Sequence, residues 1–372
     1  MQPYVIQNVG LSSEHIGKRW IYVGLDLGER DWVVLWMKLW VVEDLHARKP
    51  KKFSGAGRFA ALLAWLLSLK VEFACDVHVL YEAGRQGFEL ARKLMEEKIH
   101  VDIVAVSRLD LAKRRKRGKS DGLDALRLTV MDWTVKGFPK VWIPSREQEG
   151  LRNLLMWEDG LERDLRRCRN QGLSILSRWG VEYKTGLTDG QYRKLVRGLA
   201  PHVVGDVDGL RLEGLWCQEA FLRKELKRVR CLARKRLADD AVAQKIQVWK
   251  GVGEKTARIL SWYVGEWGRF GCGRSFGAYC GLTSVHVQSG TQDSDVGVSR
   301  AGHRLLRCCL GRQALLWLKH QRECGLVKNL LGLQEQKGKR SRVVRSALAR
   351  QLAVALWDWV VTGKEIEGAL KK

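Results

Sequence analysis

The sequence predicts an α/β domain with a mixed sheet, then a charged helical middle, then a mainly helical C-terminal part. Three observations carry this reading. Between residues 20 and 106, short β-branched and aromatic runs alternate with stretches of helical apolar spacing, the pattern of a sheet covered by helices. From about Arg146 to Asp240 the chain is rich in charge, with leucines at helical intervals. From about Ala241, glycine turns separate further helical patterns. The 372 residues are therefore divided as 1–140, 141–240 and 241–372, a length that supports more than one domain and a sizeable core.

Taken in order, Trp20-Ile-Tyr-Val-Gly-Leu reads as a strand ending at Asp26, and Gly28 permits a tight turn. Trp32–Trp40 is the expected return strand, continued or paired by Val41–Asp44. Gly57–Leu69 has helical spacing at Phe59, Leu62, Leu63, Leu66 and Leu67. His78–Tyr81 is a short buried-type strand ending at Glu82, after which Ala83-Gly84 turns the chain into a helix, Gln86–Lys98. Val101–Val106 is a further strand, and Asp121–Val135 a helix capped by Ser120. In the middle region Leu151, Leu155, Leu161 and Leu165 form one stripe. Leu215, Leu222 and Val229 are heptad-spaced, with Leu226 and Leu232 on the same face. A glycine-containing interruption over 186–210 makes this a helical hairpin or coiled coil, which packs within the chain or pairs two chains. Gly251-Val252-Gly253 then lies between two helical patterns: either a plain interhelical turn, or a turn whose N–H groups suit a DNA phosphate. Leu282–Gly297 is a polar Ser/Gly/Asp-rich segment before a helix, Arg300–His320. The tryptophans at 65, 317, 357 and 359 sit in apolar stripes, as core packing requires, and Cys308 and Cys309 are expected as core thiols.

Charge narrows the function. Lys plus Arg is 66 and Asp plus Glu 41, a net +25. Such an excess calls for a polyanion, nucleic acid before membrane, while 45% hydrophobic content argues against a basic disordered tail. The first twenty residues carry no secretory pattern, and the apolar run Trp32–Val42 is broken by Lys38 and too short to span a bilayer. Nine cysteines without a CxxC pair read as reduced thiols in a cytoplasm.

The densest chemistry lies over Ser107–Leu128. Arg108, Lys113, Arg114, Arg115, Lys116, Arg117 and Lys119 face one acid, Asp110. Asp121 and Asp124 follow at i and i+3, on one helix face. Taken alone, this is equally a solvated helix start beside a basic loop. With Asp26 and Glu82 at strand ends, however, four acids can converge over one edge of a sheet. Converging carboxylates stay ionised only around a cation, and hard oxygen ligands select Mg²⁺ or Mn²⁺, the ions of phosphoryl transfer. Arg300, His303, Arg304 and Arg307 fall on one side of the expected helix Arg300–His320, and six basic residues lie over 334–350.

These residues carry a resemblance. Tyr22-Val-Gly-Leu-Asp26, Tyr81-Glu82-Ala-Gly84 and Lys119-Ser-Asp121-Gly-Leu-Asp124-Ala125 resemble the three acid motifs of the Piv-type DEDD transposases, recombinases of bacterial insertion sequences. Gly251-Val-Gly253, Phe276-Gly-Ala-Tyr-Cys-Gly-Leu282, Gln288-Ser289-Gly290 and Val298-Ser-Arg-Ala-Gly-His-Arg-Leu-Leu-Arg307 resemble that family's C-terminal transposase domain in order and spacing. The match covers about 20–136 and 244–320. It departs at Lys250 (where proline is common), Ser120 (threonine), Gln288 (serine) and the acidic tip Thr291–Asp295.

The resemblance implies a RuvC-like domain of ribonuclease H fold, whose Asp26, Glu82, Asp121 and Asp124 hold Mg²⁺ or Mn²⁺ and are catalytic with it. It implies Ser289 as the nucleophile that joins a DNA strand covalently, with Ser284, Ser294 and Ser299 as fallbacks. A structured bridge RNA pairing with donor and target DNA is implied as guide, as are dimers that assemble to tetramers, and a bacterial cytoplasmic, nucleoid-associated location without membrane. The basic residues at 108, 113–117 and 119, with Arg300, Arg304 and Arg307, are the expected nucleic-acid contacts. Two other classes suit the same residues: a metal-dependent junction nuclease with no covalent serine step, and a non-enzymatic nucleic-acid-binding protein.

Overall fold

The computed structural model describes residues 20–28, 31–38, 51–84, 87–105, 128, 140–182, 190–192, 194–195, 197–198, 205–289, 292–299, 301–337 and 341–372. Two compact units divide the chain, residues 1–146 and 147–372.

The first unit is built on a mixed sheet: β1 (Trp20–Leu27), β2 (Asp31–Lys38), β3 (Lys51–Ser54), β4 (Asp76–Glu82), β5 (His100–Val104) and β6 (Lys140–Val141), in the order β3-β2-β1-β4-β5-β6. β1 and β2 form an antiparallel hairpin, whereas β1/β4 and β4/β5 are parallel. Parallel neighbours need a crossover. The chain between β3 and β4 is helix α1 (Arg58–Phe73), and that between β4 and β5 is helix α2 (Glu89–Glu96). Ile21, Val23 and Leu25, Val77, Val79 and Tyr81, and Ile103 share a core with Leu62, Leu66 and Leu69 of α1 and Leu90, Ala91 and Leu94 of α2. The two-residue strand period turns Tyr22, Asp26, His78 and Glu82 to the opposite face.

Several elements differ from the sequence reading. α1 runs past Leu69 to Phe73 and stops where Ala74 takes a left-handed conformation, φ 46°. The second helix begins three residues later than expected, at Glu89. β3 and β6 carry no apolar alternation: β3 is Lys-Lys-Phe-Ser with only Phe53 buried, and β6 is two residues long. Both owe their existence to the neighbour they pair with. Val41–Asp44 lies outside the described residues, and of the helix expected over 121–135 only Leu128 is described, helical and buried.

The second unit begins with two long helices, α3 (Arg146–Arg178) and α4 (Asp206–Ala238), of 33 residues each. They are antiparallel. Arg178 and Trp179 at the end of α3 donate to Asp208 at the start of α4, at 3.2 and 2.9 Å, while Arg230 of α4 reaches back to Glu158 and Glu162 of α3. The heptad-spaced face is occupied inside the chain: Leu222, Leu226 and Val229 belong to the unit's own core, and Leu215 packs against it. That stripe is therefore not left over for pairing two chains. Leu232 falls off its edge, 43% exposed.

Then follow α5 (Ala241–Gln247), α6 (Glu254–Val264), a 3₁₀ turn (Trp267–Arg269), α7 (Gly273–Tyr279), the hairpin β7 (Ser284–Ser289) and β8 (Gln292–Val298), α8 (Arg304–His320), α9 (Gly325–Lys337) and α10 (Ser341–Thr362). Trp317 and Trp357 are buried in this core, with Trp359 partly buried against it. Trp65 packs against the core of the first unit. Cys309 is buried but Cys308 is exposed, which corrects the expectation of two core thiols. Cys308 lies four residues from Arg304 and four from Arg312, both exposed, so it falls on the outward face of its helix. Among the described residues no helix is long and apolar enough to cross a membrane.

Candidate functional site

Asp26 and Glu82 end β1 and β4. These strands are parallel neighbours in the register Gly24↔Leu80 and Leu25↔Tyr81. One further step brings Asp26 beside Glu82, on the sheet face away from α1 and α2, at a spacing of about 4.8 Å between strands. The edge outside the carboxyl ends of parallel strands is where open α/β sheets place ligands. Asp26 is partly buried and Glu82 exposed, so the pair stands at the border of core and solvent. Two oxygen ligands on rigid strands suit a hard divalent ion. Asp121, Asp124 and the basic residues 108–119 lie outside the described residues. Among the described ones, no group of three or more His, Cys, Asp or Glu side chains comes together to hold a metal.

Lower on the same face is a cluster the sequence reading missed. His78 Nε2 donates to Asp102 Oδ2 at 3.0 Å, and Lys140 donates to the same oxygen at 2.6 Å. Burial pulls the Asp102 carboxyl upward, but the hydrogen bonds from His78 and Lys140 outweigh it and hold it below the usual carboxylate range. His78 lies four residues before Glu82, about 13 Å along the strand, so the cluster anchors the sheet and does not join the acid pair. Lys140 arrives on the two-residue β6, which no sequence signal marks.

Ser289 was expected in a polar loop. Its backbone instead closes β7, paired with Gln292 beside the hairpin turn. Of the fallback serines, Ser284 opens β7, Ser294 pairs with Val287, and Ser299 donates its N–H to the Thr283 carbonyl at 2.8 Å. The root of this hairpin is pinned by two glycines. A Cβ on Gly302 would lie 2.0 Å from the Gly281 nitrogen and 2.3 Å from the Tyr279 carbonyl oxygen. Gly281 itself has φ +71°, and the His303 N–H donates to Tyr279 at 2.9 Å. Only residues without a side chain let these two backbones touch. The motifs around 276–282 and 298–307 therefore meet in space, and their glycines set where the Ser289 hairpin leaves the helices.

Arg304 is the first residue of α8 and is exposed. Arg307 is partly buried and donates to the Gly302 carbonyl at 3.3 Å, bracing the same contact. Arg300 lies outside the described residues, and the helix expected from Arg300 starts at Arg304 behind Gly302. Gly251-Val252-Gly253 links α5 to α6. Val252 is buried, Gly251 has φ +91° against the His320 Cβ, and its carbonyl accepts from Gln313 at 3.1 Å. Gln321 donates to the Lys250 carbonyl at 2.8 Å, so the turn is held on α8 by side-chain amides while Gly253, before α6, stays exposed.

A buried charge network fastens α3 and α4 to α6. Glu158 pairs with Arg258 at 2.8 Å and with Arg230 at 3.2 Å. Glu162 pairs with Lys255 at 2.7 Å and with Arg230 at 2.8 Å. For Glu162, burial raises the carboxyl and the bonds from Lys255 and Arg230 lower it further, for a net value below the ordinary range. Arg152 of α3 donates to the carbonyls of Trp262 and Tyr263 at the end of α6, where cations are favoured.

The sequence model of the transposase IS116/IS110/IS902 family matches residues 243–326, the stretch from α5 into α9. A protein of Sinorhizobium fredii (strain NBRC 101917 / NGR234) named as a transposase, y4rJ, is 30% identical over 383 residues, covering 95% of this chain and 94% of that protein. The transposase for insertion sequence element IS1328 of Yersinia enterocolitica is 24% identical over 214 residues, 57% of this chain and 63% of that one. A second Sinorhizobium fredii protein named as a transposase, y4qE, is 23% identical over 319 residues, 76% of this chain and 74% of its own length. With a relative this similar along nearly its whole length, the chain belongs to the IS116/IS110/IS902 family of insertion-sequence transposases.

Proposed function

We propose that the chain is an RNA-guided DNA recombinase of its insertion sequence, with a RuvC-like N-terminal domain. In this reading Asp26, Glu82, Asp121 and Asp124 hold Mg²⁺ or Mn²⁺, and Ser289 cuts and rejoins DNA. The observation that carries it is that Asp26 and Glu82 directly follow the last paired residues, Leu25 and Tyr81, at the carboxyl ends of parallel neighbours, in a transposase family member of net charge +25. A divalent cation bound there supplies Lewis-acid polarisation of a DNA phosphate. The chain's own residues do the rest. The Ser289 Oγ–P bond forms as the bond from phosphorus to a deoxyribose oxygen breaks, and the departing oxygen takes the serine's proton. Attack by the hydroxyl of another strand end reverses the step, joins that strand and frees the serine. The acids would hold the cation, and the hairpin root at Gly281 and Gly302 orients the serine.

Guide RNA and paired DNA strands are the polyanions that the charge excess serves, so binding is steeply salt-dependent. Oligomer formation is supported by a second heptad seam on α4, distinct from the one used internally. Val207, Leu210 and Phe221 are 83%, 72% and 63% exposed, and Gly214 and Cys217 continue the same 3–4 spacing. The test is a suicide DNA substrate carrying a nick near the cut site. A denaturant-stable protein–DNA adduct that disappears in Ser289→Ala is expected. Undiminished cleavage by that variant defeats the serine step and leaves the metal nuclease. Sequencing of RNA that copurifies with the protein tests guidance: recombination by an RNA-free preparation refutes it.

A further inference from the structure

A groove of about 1110 Å³ runs through the second unit between α3 and the start of α8, floored by α6. Six basic residues line it: Arg163, Arg166 and Arg167 from α3, Lys255 from α6, and Arg304 and Arg312 from α8. The acid among its lining residues is Asp159. On α3 the charges are locally answered: Arg163 pairs with Asp159 at 3.2 Å, Arg167 with Asp164 at 3.1 Å, and Arg166 donates to the Glu162 carbonyl. Lys255 is held by Glu162. On α8 they are not. Arg304 and Arg312 are exposed and meet no carboxylate among the described residues. With Cys308 they stand at i, i+4 and i+8, a straight row along one face of the helix.

The lining is not only charged. Leu155, Ile259 and Tyr263 give the groove an apolar floor, and Asn170, Gln171 and Ser174 continue its α3 wall with neutral hydrogen-bonding groups. Guanidinium rows on the walls suit phosphates, and an apolar floor suits unstacked bases. A duplex presents phosphates on a convex surface and keeps its bases stacked inside, so it has no use for a floored groove. The volume is slightly above that which encloses a drug-sized ligand, enough for a few nucleotides of one strand.

We infer that this groove binds single-stranded DNA, and that it holds the strand next to the cut. The choice of DNA rests on the reading of Ser289 as the residue that attacks DNA. His303 and Arg304 line one end of the groove and directly follow the root of the hairpin whose far end carries Ser289, about 17 Å of strand away. A few unpaired nucleotides span that distance. Arg304 and Arg312 take the phosphates, and Cys308 lies between them.

Cys308 supplies the test, because it is an exposed thiol inside the groove. The full-length protein is treated with N-ethylmaleimide, with and without a twelve-residue oligo-dT, and modification is read peptide by peptide. Several-fold slower modification of Cys308 is expected, with Cys231 on α4 and Cys272 before α7, both exposed, unchanged. In anisotropy titrations, Arg304→Gln combined with Arg312→Gln should weaken oligo-dT binding roughly 10–30-fold and flatten its log–log salt dependence by about 1.4. Equal Cys308 modification with saturating oligo-dT overturns the inference, as does protection by oligo-rU or by duplex DNA but not by oligo-dT. Neither readout needs turnover. A protein that forms no Ser289 adduct but shows the protection keeps the groove and loses the serine step, whereas an adduct without protection loses the groove alone.

Discussion

Removing the carboxylate of Glu158 should unfasten the helical hairpin from the rest of the second unit. Glu158 and Arg258 have side chains only 2% and 5% exposed, 2.8 Å apart. Arg258 Nε has no hydrogen-bond partner among the described residues, so this ion pair is its main compensation for burial. Glu158→Ala leaves a guanidinium buried without its counter-ion, which costs about 3–5 kcal/mol. The loss of the Arg230 contact adds less than about 1 kcal/mol, since Arg230 is half exposed and keeps Glu162. For a unit of this size the sum corresponds to a melting decrease of roughly 6–24 °C. Urea unfolding followed by tryptophan fluorescence reads the change, because Trp262 lies under the Arg258 guanidinium at 5.7 Å. The double variant Glu158→Ala with Arg258→Met replaces the pair by apolar groups and should recover stability to within about 1 kcal/mol of the parent. A loss below about 1 kcal/mol in the single variant, or a double variant no better than the single, refutes the argument.

Gly302→Ala forces a Cβ into the backbone of Gly281 and Tyr279. It should cost at least about 2–3 kcal/mol, read as a lower melting temperature with faster proteolysis within 281–302. Asp102 ionises below the ordinary carboxylate range when folded. Its contribution is therefore present above the unfolded value near 3.9 and lost as pH falls through the folded value. Asp102→Asn should flatten the acid limb of the first unit's stability below about pH 4, and an unchanged limb refutes the assignment. Asp26→Asn or Glu82→Gln should lower metal-dependent strand cleavage by more than about a hundredfold, since loss of mere outer-shell partners already costs 10–100-fold. Cleavage that persists in chelator would remove the metal from the scheme.

Periodicity found the parts of this fold that bury apolar faces. β1, β4 and α1 were legible because their apolar residues recur at the strand or helix interval, and α3 and α4 because their leucines do. β3 and β6 were not, since Lys51–Ser54 and Lys140–Val141 are strands only by virtue of a neighbour's hydrogen bonds. The polar segment 282–297 offers only brief alternations, Val285 with Val287 and Val296 with Val298, too short among Ser, Gln and Asp to mark strands, yet it pairs from Ser284↔Val298 to Ser289↔Gln292.

The sequence by itself determined the polyanionic partner, the strand-end acids and the family motifs, because charge and local spacing are written along the chain. Tertiary structure alone decided three things. Asp26 stands beside Glu82 because two distant strands take one register. The heptad face of α4 is consumed inside the chain. Gly281 meets Gly302 so closely that neither leaves room for a side chain. Each is a contact between segments far apart in sequence, set by packing and register that no local window contains.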